Sequence, residues 1–420
     1  MSPDAFSCTS SSRCVSKAAS ASRSFAGVAI GVFGNGRIST RAYETWLPEL
    51  LHGSVYMLVD DNACDLVKAK HLEFQKTMVS RTLLPKSSPN RLESTGDAPV
   101  VKIDCLETAP VPLSTVFAEV GDDWLRLPRL NRTNTLWVKA SVFLQGLVAA
   151  FPSARWYFKL DESTLLFPPS LSRFLTALDA AVDSTSAHAA PLYFGNSAWP
   201  FLNWLPLSQQ LSIALNLTGP QRHHRPYAAG GGGYGLNAAA MRLLLGPPPR
   251  HLTSELGNWL VEDARRPRYT KHGGDTDAIG KSGVLQAAAL WHRHGGRLMP
   301  RRDKLQPIGE DGAVGLAMLL HGVQPLTCGC FYQTTPCEDG KVALNASACR
   351  RRDRAMSTPG SSKMSNATGR ARGGISNRAT LCEWPITMHR LSNRWAYHAW
   401  AVEARRLGLL MPGQQSRLWL

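Results

Sequence analysis

Apolar residues along the chain fall into short runs, and several of these runs are joined by segments with helical spacing. Strands covered on both faces are predicted by compact apolar runs at 28–33 and 156–160, and by a run at 54–61 that ends on two acids. Apolar positions over 40–51 and 136–151 predict helices before or between these strands. Strands that alternate with helices indicate βαβ units, so the pattern predicts an α/β fold built on a parallel sheet.

The pattern also divides the chain into four parts. Residues 1–26 are rich in Ser, Ala and Arg and poor in acids, which predicts a disordered leader or a transit peptide. Residues 27–330 carry the strand and helix pattern of one domain. Residues 331–380 are poor in apolar residues and predict a largely disordered insertion, after which 381–420 returns to the domain.

Two acidic residues follow the apolar run at 156–160. Asp161 and Glu162 stand where this strand should end, and Pro168 then opens another helical segment. Strand-end carboxylates in an α/β fold lie at the crevice where ligands bind, although a simple turn explains the same residues. We therefore treat these two acids as candidate ligand-binding residues.

Two further segments carry candidate chemistry. Four consecutive glycines, Gly230–Gly233, are followed by Tyr234 and a helix, which favours a backbone-lined ligand wall over a flexible linker. Farther along, Asp275 and Asp277 lie in the segment H-G-G-D-T-D-A-I-G at the predicted start of a helix. A carboxylate there can act as a general base or simply cap the helix.

Composition and charge indicate which classes of molecule the protein binds. The 420 residues are 44% hydrophobic and carry a formal charge of +16, which points to a polyanionic partner: nucleic acid, an acidic membrane surface or a phosphate-bearing small molecule. The basic residues lack the aromatic interleaving or finger spacing of nucleic-acid readers, which argues against DNA or RNA as the partner. Apolar stretches are too short for a transmembrane anchor.

Cysteines and glycosylation motifs point to a secretory setting. Five of the nine cysteines crowd the last third of the chain, where disulfides are more plausible than a zinc site because no C-x-x-C pair exists. Four Asn-x-Ser/Thr motifs begin at Asn131, Asn216, Asn345 and Asn366.

Three motifs in a fixed order resemble the β1,3-glycosyltransferases of the fringe and core-1 galactosyltransferase type, including their plant and fungal relatives. The segment W-Y-F-K-L-D-E-S-T from Trp156 looks like the family's W-Y-x-K-x-D-D-D-T, and G-G-G-G-Y-G-L-N from Gly230 is similar to G-G-x-G-Y-x-L-S. The segment G-G-D-T-D-A-I-G from Gly273 is similar to the acid-rich start of the family's next helix. R-A-Y-E-T-W from Arg41 fits an early R-x-x-x-T-W, and the resemblance covers roughly 28–321.

The resemblance implies a GT-A type, Rossmann-like nucleotide-sugar-binding domain with a mixed, mainly parallel sheet. It implies Mn²⁺ as cofactor and a UDP-sugar as donor. The reaction would be an inverting transfer of a hexose or N-acetylhexosamine to a hydroxyl of a glycan or glycoprotein acceptor, forming a β1,3 linkage. It also implies the Golgi lumen or another part of the secretory pathway, with a type II anchor that this sequence does not show.

The resemblance assigns roles to nine residues and names two more in reserve. The metal would be held by Asp161, Glu162, Ser163 and His389, the last in P-I-T-M-H, which looks like the family's P-L-S-L-H-H, with His321 as second choice. The nucleotide-sugar would lie against Asp161, Glu162, Gly231, Gly232, Gly233 and Tyr234. The general base would be Asp275, with Asp277 in reserve.

One departure opens an alternative. Ser163 stands where the family has a third aspartate, and a neutral hydroxyl is a weaker ligand than a carboxylate for a hard divalent cation. The alternative function is therefore a catalytically inactive member that binds a sugar or nucleotide. A separate rival is an NAD(P)-linked enzyme that uses Gly34-Asn35-Gly36, although the third glycine of the dinucleotide motif is missing.

Overall fold

The computed structural model describes most of the predicted domain and part of the C-terminal segment. The described residues are 25–34, 36, 39–84, 97–106, 136–183, 190–196, 227–246, 283–284, 309–328, 330–332, 386–389 and 401. The helices are α1 (Thr40–Glu44), α2 (Asp61–Thr82), α3 (Leu136–Ala150), α4 (Pro168–Asp183), α5 (Ala238–Leu245) and α6 (Glu310–Leu320). The strands are β1 (Val28–Phe33), β2 (Ser54–Asp60), β3 (Val100–Leu106), β4 (Trp156–Asp161), β5 (Leu165–Leu166), β6 (Tyr193–Gly195), β7 (Tyr234–Asn237), β8 (Leu326–Thr327), β9 (Phe331–Tyr332) and β10 (Thr387–Met388).

Seven of these strands form one mixed sheet in the order β3-β2-β1-β4-β7-β6-β8. Strands β1 to β4 are mutually parallel where they pair, and β6 pairs with β8 in parallel. Only β7 among the seven runs antiparallel to its neighbours, β4 and β6. The chain moves outward from β1 to β3 and then returns to the other side of β1 as β4, which places a topological switch point between β1 and β4.

Helices cover both faces of this sheet because its central strands are apolar on both sides. All six residues of β1 are buried. Alternate residues of β1 join two separate cores: Ile30 packs in the core that includes α1, α2 and α4, while Ala29 packs in the core that includes α3, α5 and α6. Gly31 permits the close approach of α3, since a Cβ there would lie 2.2 Å from the Phe143 ring.

A second, three-stranded sheet in the order β5-β10-β9 lies after the end of β4. Strand β10 pairs antiparallel with β5 and parallel with β9. The first two residues of the predicted insertion, Phe331 and Tyr332, thus belong to this sheet together with a piece of the C-terminal segment. The arrangement brings residues near 388 beside the turn that follows β4.

Among the described residues, disulfide bonds are found in two places. Cys64 in α2 is joined to Cys105 in β3, 41 residues apart in sequence, and Cys330 is also disulfide-bonded. The first bond pairs two of the cysteines that are scattered in the sequence, because β2 and β3 are neighbours and α2 follows β2. Within the described part of the chain, none of the helices is both long and apolar enough to cross a bilayer.

The predicted α/β class with a mixed, mostly parallel sheet is confirmed. The helix predicted over 40–51 is shorter: α1 ends at Glu44, Thr45 leaves helical geometry, and a single 3-10 turn with Pro48 covers Leu47–Glu49. Asp61 begins helix α2 and does not extend the preceding strand. The sequence pattern did not predict α2, because half-exposed Leu72 and Val79 obscure the stripe formed by buried Val67 and Phe74.

Candidate functional site

The candidate site lies at the carboxyl ends of β1 and β4, beside the switch point. Phe33 at the end of β1 stands opposite Asp161 at the end of β4 in the parallel register. The chain then turns sharply, with the N–H of Thr164 donating to the carbonyl of Asp161 at 2.9 Å. Side chains at these strand ends face the crevice where ligands bind in open α/β sheets.

Asp161 contacts residues from two directions. Its Oδ1 accepts a hydrogen bond from Lys159 Nζ at 2.5 Å. Its Oδ2 lies 3.4 Å from Nε2 of His389, and the Asp161 side chain is 28% exposed. The predicted acidic residue and the predicted histidine are therefore neighbours, although 228 positions separate their numbers.

Glu162 points away from that pair, toward the end of β1. Its Oε2 accepts a hydrogen bond from the N–H of Gly36 at 2.9 Å, and its own N–H donates to the carbonyl of Phe33 at 2.9 Å. In a dinucleotide-binding enzyme, backbone N–H groups of this glycine turn bind the pyrophosphate. Here the N–H of Gly36 donates to the Glu162 carboxylate instead. This contact weighs against the NAD(P)-linked alternative. Ser163 is partly exposed in the turn after β4.

The glycine run forms a turn that lies against the end of β4. The N–H of Gly233 donates to the carbonyl of Gly230 at 3.0 Å. Gly233 has φ +88, and a Cβ there would lie 2.7 Å from both the carbonyl oxygen of Lys159 and Leu160 Cδ2. Positive φ and close backbone approach together require glycine at this position.

Hydroxyl groups attach this glycine turn to its surroundings. Thr164 Oγ1 donates to the carbonyl of Gly231 at 2.8 Å, and Thr387 Oγ1 donates to the carbonyl of Gly232. Gly231 is partly exposed, whereas Gly232 and Gly233 are buried. The glycine turn is therefore held by the turn after β4 and by β10, the strand that His389 directly follows.

Tyr234 supports the turn from inside the protein. It is fully buried in β7, and its hydroxyl lies 3.4 Å from Oε2 of Glu310. The structure thus places Tyr234 beneath the glycine turn, because β7 is inserted in the sheet between β4 and β6.

A buried group of charges lies under Asp161. Lys159 Nζ donates to Asp161, to Glu310 Oε1 and to the carbonyl of Gly230. Asp311 accepts the N–H of Gly230 at 3.0 Å. Glu310 and Asp311 form the first turn of α6, where the helix dipole favours carboxylates.

Burial dominates the ionisation of the two carboxylates. It raises the pKa of Glu310 to about 7, against the opposing influence of the Lys159 ammonium. It also raises the pKa of Asp311, and two backbone N–H groups and the Lys159 ammonium oppose that rise. Burial alone would lower the pKa of Lys159, but the charges of Asp161 and Glu310 reverse the sign and raise it. Lys159 is therefore a permanent cation below the site.

A second lysine lies at the neighbouring strand ends. Lys139 of α3 reaches Asp60 Oδ1 at 2.5 Å and the carbonyl of Gly34, and it lies 5.7 Å from the centroid of the Phe33 ring. It therefore joins the carboxyl ends of β1 and β2. The sequence analysis missed this residue, since a single lysine in a predicted helix does not form a motif that would indicate a functional role.

Of the two histidine candidates, the structure brings only His389 to Asp161. His389 directly follows β10, and its N–H donates to the carbonyl of Tyr332 at 3.0 Å. His321 follows the last residue of α6, Leu320, which is about 15 Å along the helix from Glu310 at 1.5 Å per residue. The predicted bases Asp275 and Asp277 lie outside the described residues.

The buried charges are functional candidates that the sequence analysis did not single out. A signal was present for Lys159: a lysine inside an apolar strand, two residues before Asp161, must lie on the same side of the strand as that carboxylate. Glu310 and Asp311 gave no signal beyond that of ordinary acids at a helix start. Within the described residues, no three His, Cys, Asp or Glu side chains form a group that could hold a metal ion.

Comparison of the sequence with known protein families gave no match. Comparison with proteins of characterised function gave no match either.

Proposed function

We propose that this protein is an inverting glycosyltransferase that moves a hexose or N-acetylhexosamine from a UDP-sugar to a glycan or glycoprotein hydroxyl, forming a β1,3 linkage. One observation carries the proposal: Asp161, the Gly230–Gly233 turn and His389 come from three distant parts of the chain. They meet at one edge of the sheet, at the carboxyl end of β4. That edge adjoins the switch point, where α/β sheets bind ligands. The mixed, mostly parallel sheet is compatible with a GT-A type nucleotide-sugar domain.

The residues at this edge fit a divalent cation such as Mn²⁺. A carboxylate oxygen of Asp161 and an imidazole nitrogen of His389 lie 3.4 Å apart, close to the spacing of about 3 Å between adjacent ligands of a six-coordinate ion. Mn²⁺ accepts both carboxylate and imidazole. The donor diphosphate and water would complete such a site, as they do for ions held by one or two carboxylates. When bound, the ion would neutralise charge on the departing diphosphate.

The other residues of the site have supporting roles in this proposal. Glu162 fixes the turn after β1 and so shapes the crevice floor where the nucleotide would lie. The glycine turn presents backbone without side chains, which lets a sugar approach closely. Thr164 and Thr387 hold that turn in place through its carbonyl groups.

The chemical step would use a carboxylate as general base. Asp275, or Asp277 in reserve, would take the proton from the acceptor hydroxyl as its oxygen attacks the anomeric carbon. The new bond forms on the face opposite the diphosphate, and the bond between the anomeric carbon and the diphosphate oxygen breaks. UDP leaves with the bonding electrons, and the configuration of the sugar inverts.

A secretory setting, with the Golgi lumen as the first choice, agrees with the proposed acceptors. The Cys64–Cys105 disulfide and the second bond at Cys330 are of the kind that forms in oxidising compartments. The four glycosylation motifs support the same compartment.

The alternative is a catalytically inactive protein that retains a sugar or nucleotide site. Ser163 favours it, because the turn after β4 then offers a hydroxyl where a third carboxylate would strengthen metal binding. Binding of UDP that does not depend on Mn²⁺, without turnover, would support this alternative.

An assay of transfer tests the proposal. The purified protein is incubated with a panel of UDP-sugars, glycan acceptors and Mn²⁺, and release of UDP and formation of product are measured. We expect activity that Asp161→Asn abolishes. Asp179→Asn is the matched control. Asp179 accepts hydrogen bonds from the side chains of Arg155 and Trp156 at the start of β4, which is the opposite end of the strand from Asp161. A folded wild type without release or transfer on any donor would contradict the proposal.

A further inference from the structure

The buried ammonium of Lys159 uses all of its donors within the protein. An ammonium group has three N–H bonds, and those of Lys159 point to Asp161, Glu310 and the carbonyl of Gly230. The side chain is 2% exposed. Lys159 therefore has no donor left for a ligand, and any influence on the site acts through Asp161.

Lys159 holds only one of the two carboxylate oxygens of Asp161. Because residues two apart on a strand lie on the same side, the Lys159 side chain reaches Asp161 along one side of β4. It takes Oδ1, and Oδ2 then faces His389. The contact divides the carboxylate into one oxygen that fixes its position and one that is turned toward the crevice.

Glu310 prevents Lys159 from neutralising Asp161. A single ammonium placed between two ionised carboxylates leaves the group of three with a net negative charge, whereas a lysine paired with Asp161 alone would leave none. Because burial raises the pKa of Glu310 to about 7, the full negative charge is present above neutral pH. A net negative charge at the crevice attracts a divalent cation, and the buried position of Glu310 limits screening of that charge.

The glycine turn is shaped around this pair. A Cβ at Gly230 would lie 2.2 Å from Glu310 Oε1, so a side chain at that position would displace Glu310 from Lys159. The carbonyl of Gly230 is the third acceptor of the ammonium. The first glycine of the run is therefore required by the buried charges and not only by the turn.

We propose that Lys159 is a positioning residue, which fixes Asp161 so that Oδ2 faces His389, and that Glu310 keeps this site attractive to a divalent cation. The inference rests on the proposed function for the identity of the cation, but the placement of Asp161 is independent of it. Residues that orient metal ligands in this way change metal affinity by about 10–100-fold when they are replaced.

The first test removes both buried charges at once. The variant Lys159→Met with Glu310→Gln removes the buried ammonium together with its buried carboxylate partner, which costs less stability than removing either charge alone. In its crystal structure, we expect the Asp161 carboxylate to leave its place beside His389. An unmoved carboxylate, still in contact with His389, would overturn the positioning role whether or not the wild type transfers sugar.

The second test measures Mn²⁺ affinity directly, by the electron paramagnetic resonance signal of the free ion in the presence of UDP. At pH 8, where Glu310 is ionised, we expect the double variant and Glu310→Gln alone each to bind Mn²⁺ at least tenfold more weakly than the wild type. Tyr157→Phe is the matched control: it removes a buried hydroxyl that donates to the carbonyl of Phe151, about 13 Å along the same strand from Asp161. Its affinity should stay within twofold of the wild type.

The outcomes separate the inference from the function. If the wild type transfers sugar with Mn²⁺ while Glu310→Gln retains wild-type affinity, the charge argument is wrong and the proposed function stands. If the wild type neither binds Mn²⁺ nor transfers sugar, the function and the role of Glu310 in metal binding both fail. The crystal structure of the double variant still decides the role of Lys159 in that case.

Discussion

Glu162 accepts a hydrogen bond at 2.9 Å from the backbone N–H of Gly36, which lies 126 residues earlier in the chain. The contact joins the turn after β1 to the turn after β4, across the switch point of the sheet. It also separates the roles of two adjacent acids, because Asp161 faces His389 while Glu162 faces the β1 turn. A pair that looks like one acidic motif in sequence thus has two structural functions.

Replacement of Gly233 by alanine should destabilise the fold. The residue has φ +88 and its Cβ would enter the backbone of β4, so we expect a loss of about 3 kcal/mol or more, of which about 1–2 comes from the backbone and the rest from overpacking. Gly322→Ala is the control, because φ is +72 there but nothing lies within 4 Å of its Cβ. Urea unfolding of both variants checks the difference, and equal losses would contradict the close approach of the turn to β4.

The two histidine candidates should behave differently toward Mn²⁺. Because His389 lies 3.4 Å from Asp161, His389→Ala should weaken Mn²⁺ binding by about tenfold or more. His321→Ala should leave the affinity unchanged, since His321 follows the far end of α6. Titration of Mn²⁺ in the presence of UDP compares them. Similar losses in both variants would show that His389 has no special place in the site.

Aspartate in place of Ser163 should strengthen the metal site. An additional oxygen ligand with a negative charge in the turn after β4 should raise Mn²⁺ affinity by about tenfold, because ligand charge tunes affinity for hard cations. Ser163→Asn offers a neutral oxygen on a side chain of the same size and serves as the control. If sugar transfer appears only in the aspartate variant, the wild-type protein is the inactive binding form.

The contribution of Glu310 to stability should fall as the pH rises from about 4.5 to about 7. Its pKa is raised from 4.5 to about 7 in the folded protein, so the folded state holds a proton that the unfolded state has released in this range. The contribution is present below pH 4.5 and lost above 7, and amounts to about 3 kcal/mol at most. The pKa of Lys159 is raised as well, but that contribution is lost only at strongly alkaline pH.

The comparison of wild type with Glu310→Gln isolates this contribution. The difference in unfolding free energy between the two proteins should favour the wild type more at pH 4.5 than at pH 7.5. Asp311 changes stability in the same direction, but it is present in both proteins and cancels. A difference that does not change with pH would mean that Glu310 ionises normally.

The sequence predicts the centre of this fold well because the central strands are buried on both faces. The runs that form β1, β2 and β4 are mainly apolar, and the residues that directly follow them are Gly34, Asp61 and Glu162. Helix α2 was missed because Leu72 and Val79 break its pattern. The two-residue strands β9 and β10 form because distant segments pair with each other. The local pattern of apolar and polar residues does not predict such pairing.

Part of the site is predictable for the same reason and part is not. Asp161 and the glycine turn stand directly after or before strands, so their place at the sheet edge follows from the pattern. The contact of His389 with Asp161 depends on β10, and the contact of Lys159 with Glu310 depends on how α6 packs under the sheet. Such long-range contacts have no characteristic spacing in the sequence from which they could be predicted. Only the resemblance suggested a role for His389.

The most direct test of the central claim is a crystal of the protein soaked with Mn²⁺ and UDP, measured at a wavelength where manganese scatters anomalously. The account predicts an anomalous peak at bonding distance from Asp161 Oδ2 and His389 Nε2, with the UDP diphosphate on the same ion and the nucleotide over the carboxyl ends of β1 and β4. A crystal in which UDP and Mn²⁺ bind elsewhere, or in which the Asp161–His389 pair stays without an ion at saturating concentrations, would contradict it.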